Sequence, residues 1–287
     1  MKEKCLVTGS RGFIGSRLIQ YLAENDYESV PLAREALSSP DILKETLQIE
    51  RPEIIFHLAA YGNHYQQKDA REIFQANLIG TFNLLEAAAE MGFRAFINSG
   101  SSSEYGRKTL PMRENMLPET DTFYGATKVG STFLASAFAR QLGLPIVTVR
   151  PFSVYGSGEA KNRFIPTAIR CALNGEELAL ASGVHDWIFV DDFVDGMVVV
   201  SKNAASFSGE VINIGNGIQY TNAEVVRAIE QVTGKKVKIK IADKLRAYDT
   251  ETVWVADNSL LLGLGWQPHY DLLEGIKKTI DAIRTDS

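Results

Sequence analysis

Cys5-Leu6-Val7-Thr8-Gly9-Ser10-Arg11-Gly12-Phe13-Ile14-Gly15 decides how the rest of the chain is read. A short apolar run meets glycines at 9, 12 and 15, and Leu18, Ile19 and Leu22 then recur on one helical face. The pattern predicts a strand, a tight turn and a helix. Gly9 suits a turn where a Cβ would clash, Gly12 lets backbone N–H groups approach a diphosphate, and Gly15 lets helix and strand pack closely. Phe13 and Ile14 open the helix whose N-terminal N–H groups and dipole favour an anion. The spacing is GxxGxxG, not the commoner GxGxxG. A Gly-rich turn of any α/β protein reads similarly; the position straight after the first strand favours a dinucleotide site.

Bulk properties set the frame. The chain has 287 residues and a formal net charge of −5. That length supports one large unit or two interleaved lobes. No basic stripe points to nucleic acid, no apolar run spans a membrane, and Met1-Lys2-Glu3-Lys4 is no signal peptide. Cys5 and Cys171 are far apart, which suggests a reducing, cytoplasmic setting. No His/Cys cluster has metal-ligand spacing, so no metal is expected.

Outward from the glycines, Tyr27 to Ala33 reads as the second strand. Its tip selects between cofactors: an acid there binds the ribose hydroxyls of NAD, and an Arg accommodates the 2′-phosphate of NADP. Here Pro31-Leu32-Ala33-Arg34 offers Arg34, with Arg11 within the glycine loop. Two guanidinium groups suit a phosphate. NADP(H) is therefore favoured over NAD(H), although Glu35 would serve as the tip acid if the strand ran longer. Asp41 to Gln48 reads as a helix, and Glu53 to Ala60 as a strand ending in Leu58-Ala59-Ala60, small enough for backbone to pass a flat cofactor. His57 reads as a packed strand residue, and His64 as a loop residue near the site mouth. Arg71 to Met91 has the spacing of one long helix, interrupted but not broken by Gly80.

The next strand, Ala95 to Ser99, runs into Gly100-Ser101-Ser102-Ser103-Glu104-Tyr105-Gly106. Hydroxyls beyond the carboxyl end of a parallel strand lie where such sheets bind ligands. In the helix from Asp121 to Leu142, Tyr124 and Lys128 are four apart and share a face. An ammonium beside a tyrosine favours the phenolate and suits it to exchange protons with an alcohol or ketone. Pro145 to Arg150 is a further buried strand. Beyond it, helices over 164–173, 194–201, 222–232 and 272–283 alternate with short strands at 177–181, 211–214 and 237–241. This rhythm predicts an α/β, Rossmann-type doubly wound parallel sheet with a smaller mixed lobe. The expected division is a dinucleotide-binding domain over 1–155, joined again by 184–212, and a substrate-binding lobe from 156–183 and 213–287.

Together these segments resemble the extended short-chain dehydrogenase/reductase family, in its nucleotide-sugar branch. The resemblance rests on Thr8 to Gly15, His57-Leu58-Ala59-Ala60, Asn77-Leu78-Ile79-Gly80-Thr81, Ser101, Tyr124-Gly125-Ala126-Thr127-Lys128, Arg150-Pro151-Phe152, Asp186-Trp187-Ile188-Phe189-Val190-Asp191-Asp192 and Leu262 to Pro268. It implies that Tyr124 is the general acid or base, that Lys128 binds the nicotinamide ribose, and that Ser101 hydrogen-bonds the substrate oxygen. It further implies cofactor contacts for Asn77, Ser99, Pro151 and Val154, and a diphosphate grip for Arg246, whose setting Arg246-Ala247-Tyr248-Asp249 departs from the usual Arg-Pro-Gly-Asp. Ser102, Ser103, Arg163 and His185 are the further substrate-binding candidates. A homodimer through the helices 71–91 and 124–142 is also implied.

Departures from the family pattern bear on the reaction. The 4,6-dehydratases of the family carry an Asp and a Glu where this chain has Ser102 and Ser103, and Glu104 is one residue out of register. Ser103 and Arg163 stand where GDP-fucose synthase has an additional Cys and His. His185 replaces an Arg common in relatives. The reading that follows is an NADPH-dependent reductase of a nucleotide-activated 4-keto-6-deoxyhexose, similar to CDP-abequose synthase. The alternatives are a nucleotide-sugar 4-epimerase with retained NAD and, further off, a non-catalytic NAD(P)-sensing protein.

Overall fold

The computed structural model describes residues 2–64, 66–242 and 253–285. Along the first half, strands and helices alternate: β1 Lys4–Thr8, α1 Phe13–Glu24, β2 Glu28–Leu32, α2 Pro40–Glu50 and β3 Ile54–His57. Next come α3 Ala70–Phe74 and α4 Gly80–Met91, then β4 Ala95–Ser99, α5 Phe123–Leu142 and β5 Ile146–Pro151. The second half runs β6 Ser153–Tyr155, α6 Phe164–Asn174, β7 Glu177–Leu180, β8 Val184–Phe189, α7 Val190–Lys202 and β9 Val211–Ile214. It ends with β10 Gln219–Thr221, α8 Asn222–Thr233, β11 Lys238–Ile241, α9 Ser259–Gly263 and α10 Leu272–Thr285.

The expected doubly wound sheet is present. Six parallel strands lie in the order β2-β1-β3-β4-β5-β9. Its central strands β1, β3, β4 and β5 are buried on both faces, as their near-continuous apolar runs require. Cys5, Val7, Ile54, Phe56, Ala95, Ile97, Val147 and Val149 face the layer that includes α7. The alternate residues Leu6, Ile55, Phe96 and Ile146 face α2, α4 and α5. Period-two alternation thus feeds two cores from one sheet, with about 1.5–3 kcal/mol for each large side chain fully buried. A three-stranded sheet β10-β8-β6 and a parallel pair β11-β7 lie beyond the main sheet. Strand β9 spans residue 213, so the sheet continues past the boundary expected at 212.

Two elements differ from the sequence reading in ways that matter to the site. β3 ends at His57, which leaves Leu58-Ala59-Ala60 as loop. The helix expected over 71–91 is continuous but changes pitch: Gln75–Ile79 form a π-helical turn between α3 and α4. Such a turn carries one extra residue and re-aims its side chains, a feature frequent at functional sites.

Candidate active site

The chain enters β2 on one side of β1 and β3 on the other, so the strand order reverses beside β1. Crevices at such switch points, beyond the carboxyl ends of the strands, are where open α/β sheets bind ligands. The glycine loop leaves β1 there. Gly9 has φ +67°, and a Cβ on it would lie 2.8 Å from the Ala59 nitrogen. A Cβ on Gly15 would overlap the Gly9 carbonyl oxygen. The loop therefore closes only around glycine. Gly12 is the N-cap of α1, and no side chain caps the first turn, which leaves its N–H groups directed toward the loop. This cradle and the small residues facing it fit a dinucleotide diphosphate.

The wall opposite the glycine loop is anchored by buried polar side chains. His57 lies between Thr8 Oγ1 at 2.8 Å and Thr81 Oγ1 at 2.9 Å. Burial pushes its imidazole down to about 3, so it is held neutral. It is a packed strand residue, as expected from sequence. Thr8 Oγ1 in turn accepts from the Ala59 backbone N–H at 3.0 Å. Asn77, buried in the π turn, accepts from the Tyr61 N–H at 2.8 Å and donates to the Tyr61 carbonyl at 2.8 Å and to Thr127 Oγ1 at 3.0 Å. It braces the loop after β3 against α5. At the sheet edge, β2 stops at Leu32, and Glu35 falls in a 3-10 turn over Arg34–Ser38 rather than at the strand tip. Arg34 is exposed, with its guanidinium 5.1 Å from the centre of the Tyr61 ring. Arg11 is exposed in the glycine loop.

Ser101, Tyr124 and Lys128 come from two elements packed side by side. Ser101 follows β4 and caps the turn Ser102–Glu104, its Oγ accepting from the Ser103 N–H at 3.1 Å. Thr122 caps α5 and fixes the first-turn position of Tyr124. Lys128 Nζ lies 5.9 Å from the centre of the Tyr124 ring and donates to the Ser99 carbonyl at 2.8 Å. Burial lowers the Lys128 ammonium to about 8, while the negative charge of Glu104 acts the other way. A half-buried phenol beside an almost neutralisable amine is a pair able to pass a proton.

Other sequence candidates fall around this centre. Pro151 ends β5 and Val154 lies on β6, both partly exposed. Ser102 is buried and Ser103 partly so. Arg163 pairs with Glu159 at 3.5 Å and donates to the Asn63 carbonyl at 3.2 Å. His64 meets Asn162 Oδ1 at 3.1 Å, so the loop after β3 touches the approach to α6. His185 packs edge-on to Trp187 and lies 3.5 Å from Ser153 Oγ. Arg246 lies outside the described residues. Among the described residues no cluster of His, Cys, Asp or Glu is arranged to hold a metal, and no helix is long and apolar enough to cross a membrane.

Sequence reading did not assign three buried groups. Glu104 and Arg150 form an ion pair behind Ser101, with Nη2 to Oε2 at 2.8 Å. Asp186 on β8 accepts from the N–H groups of Asn216, Gly217 and Ala256 at 2.7, 3.0 and 3.0 Å. Asp192 accepts from those of His269 and Tyr270 at 2.8 and 3.1 Å. A lone acid in the apolar run of β8 was the available signal, because a buried charge must be satisfied.

Comparison with known proteins agrees with this geometry. Over 96% of its length the chain is 26% identical to dTDP-glucose 4,6-dehydratase from Haemophilus influenzae, of which 96% is covered. The solved structure of UDP-glucose 4-epimerase with UDP-glucose from Thermotoga maritima superposes with a TM-score of 0.89 at 26% identity, covering 99% of each chain. That of Thermus thermophilus UDP-glucose 4-epimerase in complex with NAD gives 0.88 at 25% identity, covering 99% of this chain and all of the other. The model of the NAD dependent epimerase/dehydratase family matches residues 5–215, from the strand before the glycine cradle to β9. The chain belongs to this family and is a nicotinamide-dependent, nucleotide-sugar enzyme of the extended short-chain dehydrogenase/reductase type.

Proposed function

We propose that the protein reduces a nucleotide-activated 4-keto-6-deoxyhexose to the 4-hydroxy sugar with NADPH. The observation that carries this reading is the charge at the adenosine end of the crevice. Arg34 and Arg11 are exposed there, while the strand tip bears no acid. Two cations suit a 2′-phosphate. The bound cofactor supplies hydride. Tyr124 gives its proton to the carbonyl oxygen, Ser101 orients that oxygen, and Lys128 holds the ribose and supports the charge left on Tyr124. Gly9, Gly12, Phe13, Ile14 and Gly15 hold the diphosphate; Leu58, Ala59, Ala60, Ser99, Pro151 and Val154 line the cofactor. Ser102, Ser103, Arg163 and His185 face the nucleotide sugar, with Arg246 assigned from sequence alone. Glu104 is closed off as a dehydratase acid by its pairing with Arg150.

The substrate lobe is drawn from 156–183 and from the chain beyond β9. A homodimer through α3, α4 and α5 is supported by Phe74, Phe82 and Phe133, which are exposed on those helices. Cys5 and Cys171 are free and buried, which supports a reducing cytoplasm.

The second reading is a 4-epimerase that retains NAD. The similarity to the Thermotoga and Thermus epimerases favours it. Mixing the protein with NADPH and a nucleotide-linked 4-keto-6-deoxyhexose separates the two. The reductase consumes absorbance at 340 nm in proportion to substrate; a C4 epimer formed from a UDP-hexose without net oxidation sinks it. Tyr124→Phe is expected to lower kcat about 10²–10⁴-fold with cofactor affinity retained.

A further inference from the structure

Behind Ser101 lies a buried polar cluster that the reaction as written does not use. The Glu104 side chain is fully buried, and Arg150 is 3% exposed. One carboxylate oxygen accepts from Arg150 Nε at 3.0 Å, Arg150 Nη2 at 2.8 Å and Thr132 Oγ1 at 3.0 Å. The other accepts from the backbone N–H of Ser101 at 2.8 Å. Arg150 also stacks over Tyr105 at 4.5 Å and donates to the Glu114 carbonyl at 3.3 Å. Gly100 leaves the room that this carboxylate occupies, since a Cβ there would overlap Glu104 Oε1. The cluster joins the Ser101 turn, β5 and α5.

We propose that Glu104 and Arg150 are positioning residues: their pair holds the Ser101 turn from behind. The role rests on reading Ser101, Tyr124 and Lys128 as the reacting set. Glu104 reaches the Ser101 backbone N–H with one oxygen and is itself held through the other by Arg150 and Thr132. An ion pair used only for stability would be replaceable by an apolar pair of similar volume. One used to hold Ser101 would not, because the Ser101 N–H would lose its acceptor.

Two double variants separate holding from stability. Glu104→Leu/Arg150→Met replaces the ion pair by apolar side chains and leaves the Ser101 N–H without its acceptor. Glu104→Gln/Arg150→Met also removes the ion pair, but its amide oxygen is available to Ser101 and its NH2 to Thr132. The readouts are hydrogen exchange of the Ser101 amide and the melting temperature. In Glu104→Leu/Arg150→Met we expect Ser101 exchange about tenfold faster or more than in the parent. In Glu104→Gln/Arg150→Met exchange returns toward the parent value at a similar melting temperature. Unchanged Ser101 exchange in the Leu/Met variant overturns the proposal, and so does a Gln/Met variant that exchanges as fast as the Leu/Met one. Neither readout depends on turnover, so an active Tyr124→Phe enzyme would count against the reductase chemistry and leave this result standing on its own.

Discussion

The two ends of the crevice are built by opposite means. At the glycine loop, space is made by omission: Gly15 lets α1 close on Gly9, and Gly9 lets the backbone of Leu58 and Ala59 approach. Around β8 and α7, remote segments are drawn together by buried carboxylates. Asp186 gathers Asn216, Gly217 and Ala256, and Asp192 gathers His269 and Tyr270. The first device tolerates no added atom. The second depends on its acceptors, most of all where the freed N–H would be buried, as that of Ala256 is.

That contrast can be broken most sharply at Gly15. Gly15→Ala places a methyl group against the Gly9 carbonyl oxygen. Cofactor affinity by fluorescence titration is expected to fall about 10²-fold or more. Normal affinity would mean that the cradle has slack the packing does not show. Next in size is Asp186→Ala, which strands three backbone donors. Unfolding in urea is expected to lose about 2 kcal/mol, with the KM for the sugar rising and cofactor affinity nearly unchanged. A loss confined to cofactor binding would erase the distinction between the two ends.

Asp186 also carries a pH signature. Burial raises its carboxyl from an ordinary 3.8 to about 6 despite the three N–H bonds. The native state then binds a proton that the unfolded state releases between roughly pH 4 and 6, so this group's contribution to stability declines as pH rises through that window. Asp186→Asn is expected to flatten that part of the stability curve; an unaltered slope would show that the carboxyl titrates normally. The smallest effect concerns Arg11 and Arg34. Replacing both with Ala is expected to weaken NADPH about tenfold, near 1.4 kcal/mol, and to leave NADH alone. Equal losses for the two cofactors would return weight to the NAD epimerase.

What is legible in the chain alone follows the same division. The glycine loop, the Tyr124/Lys128 spacing and the alternation of β1, β3, β4 and β5 are local patterns whose physics acts within a few residues. They determined the sheet, the cradle and the helix face that Tyr124 and Lys128 share. Asn77 shows the limit. It stood out in the sequence, but its brace to Tyr61 and Thr127 depends on a π turn that helical periodicity does not reveal. Glu104 looked like an acid one residue out of register. Only the fold brings Arg150, 46 residues away, against it and turns it from an idle acid into an anchor. Pairings between distant residues are settled by which strands lie adjacent and which faces they bury. The chain by itself determined which residues could do chemistry and where the glycine cradle forms; the tertiary structure decided which charges meet, because burial and partnership exist only once the layers have closed.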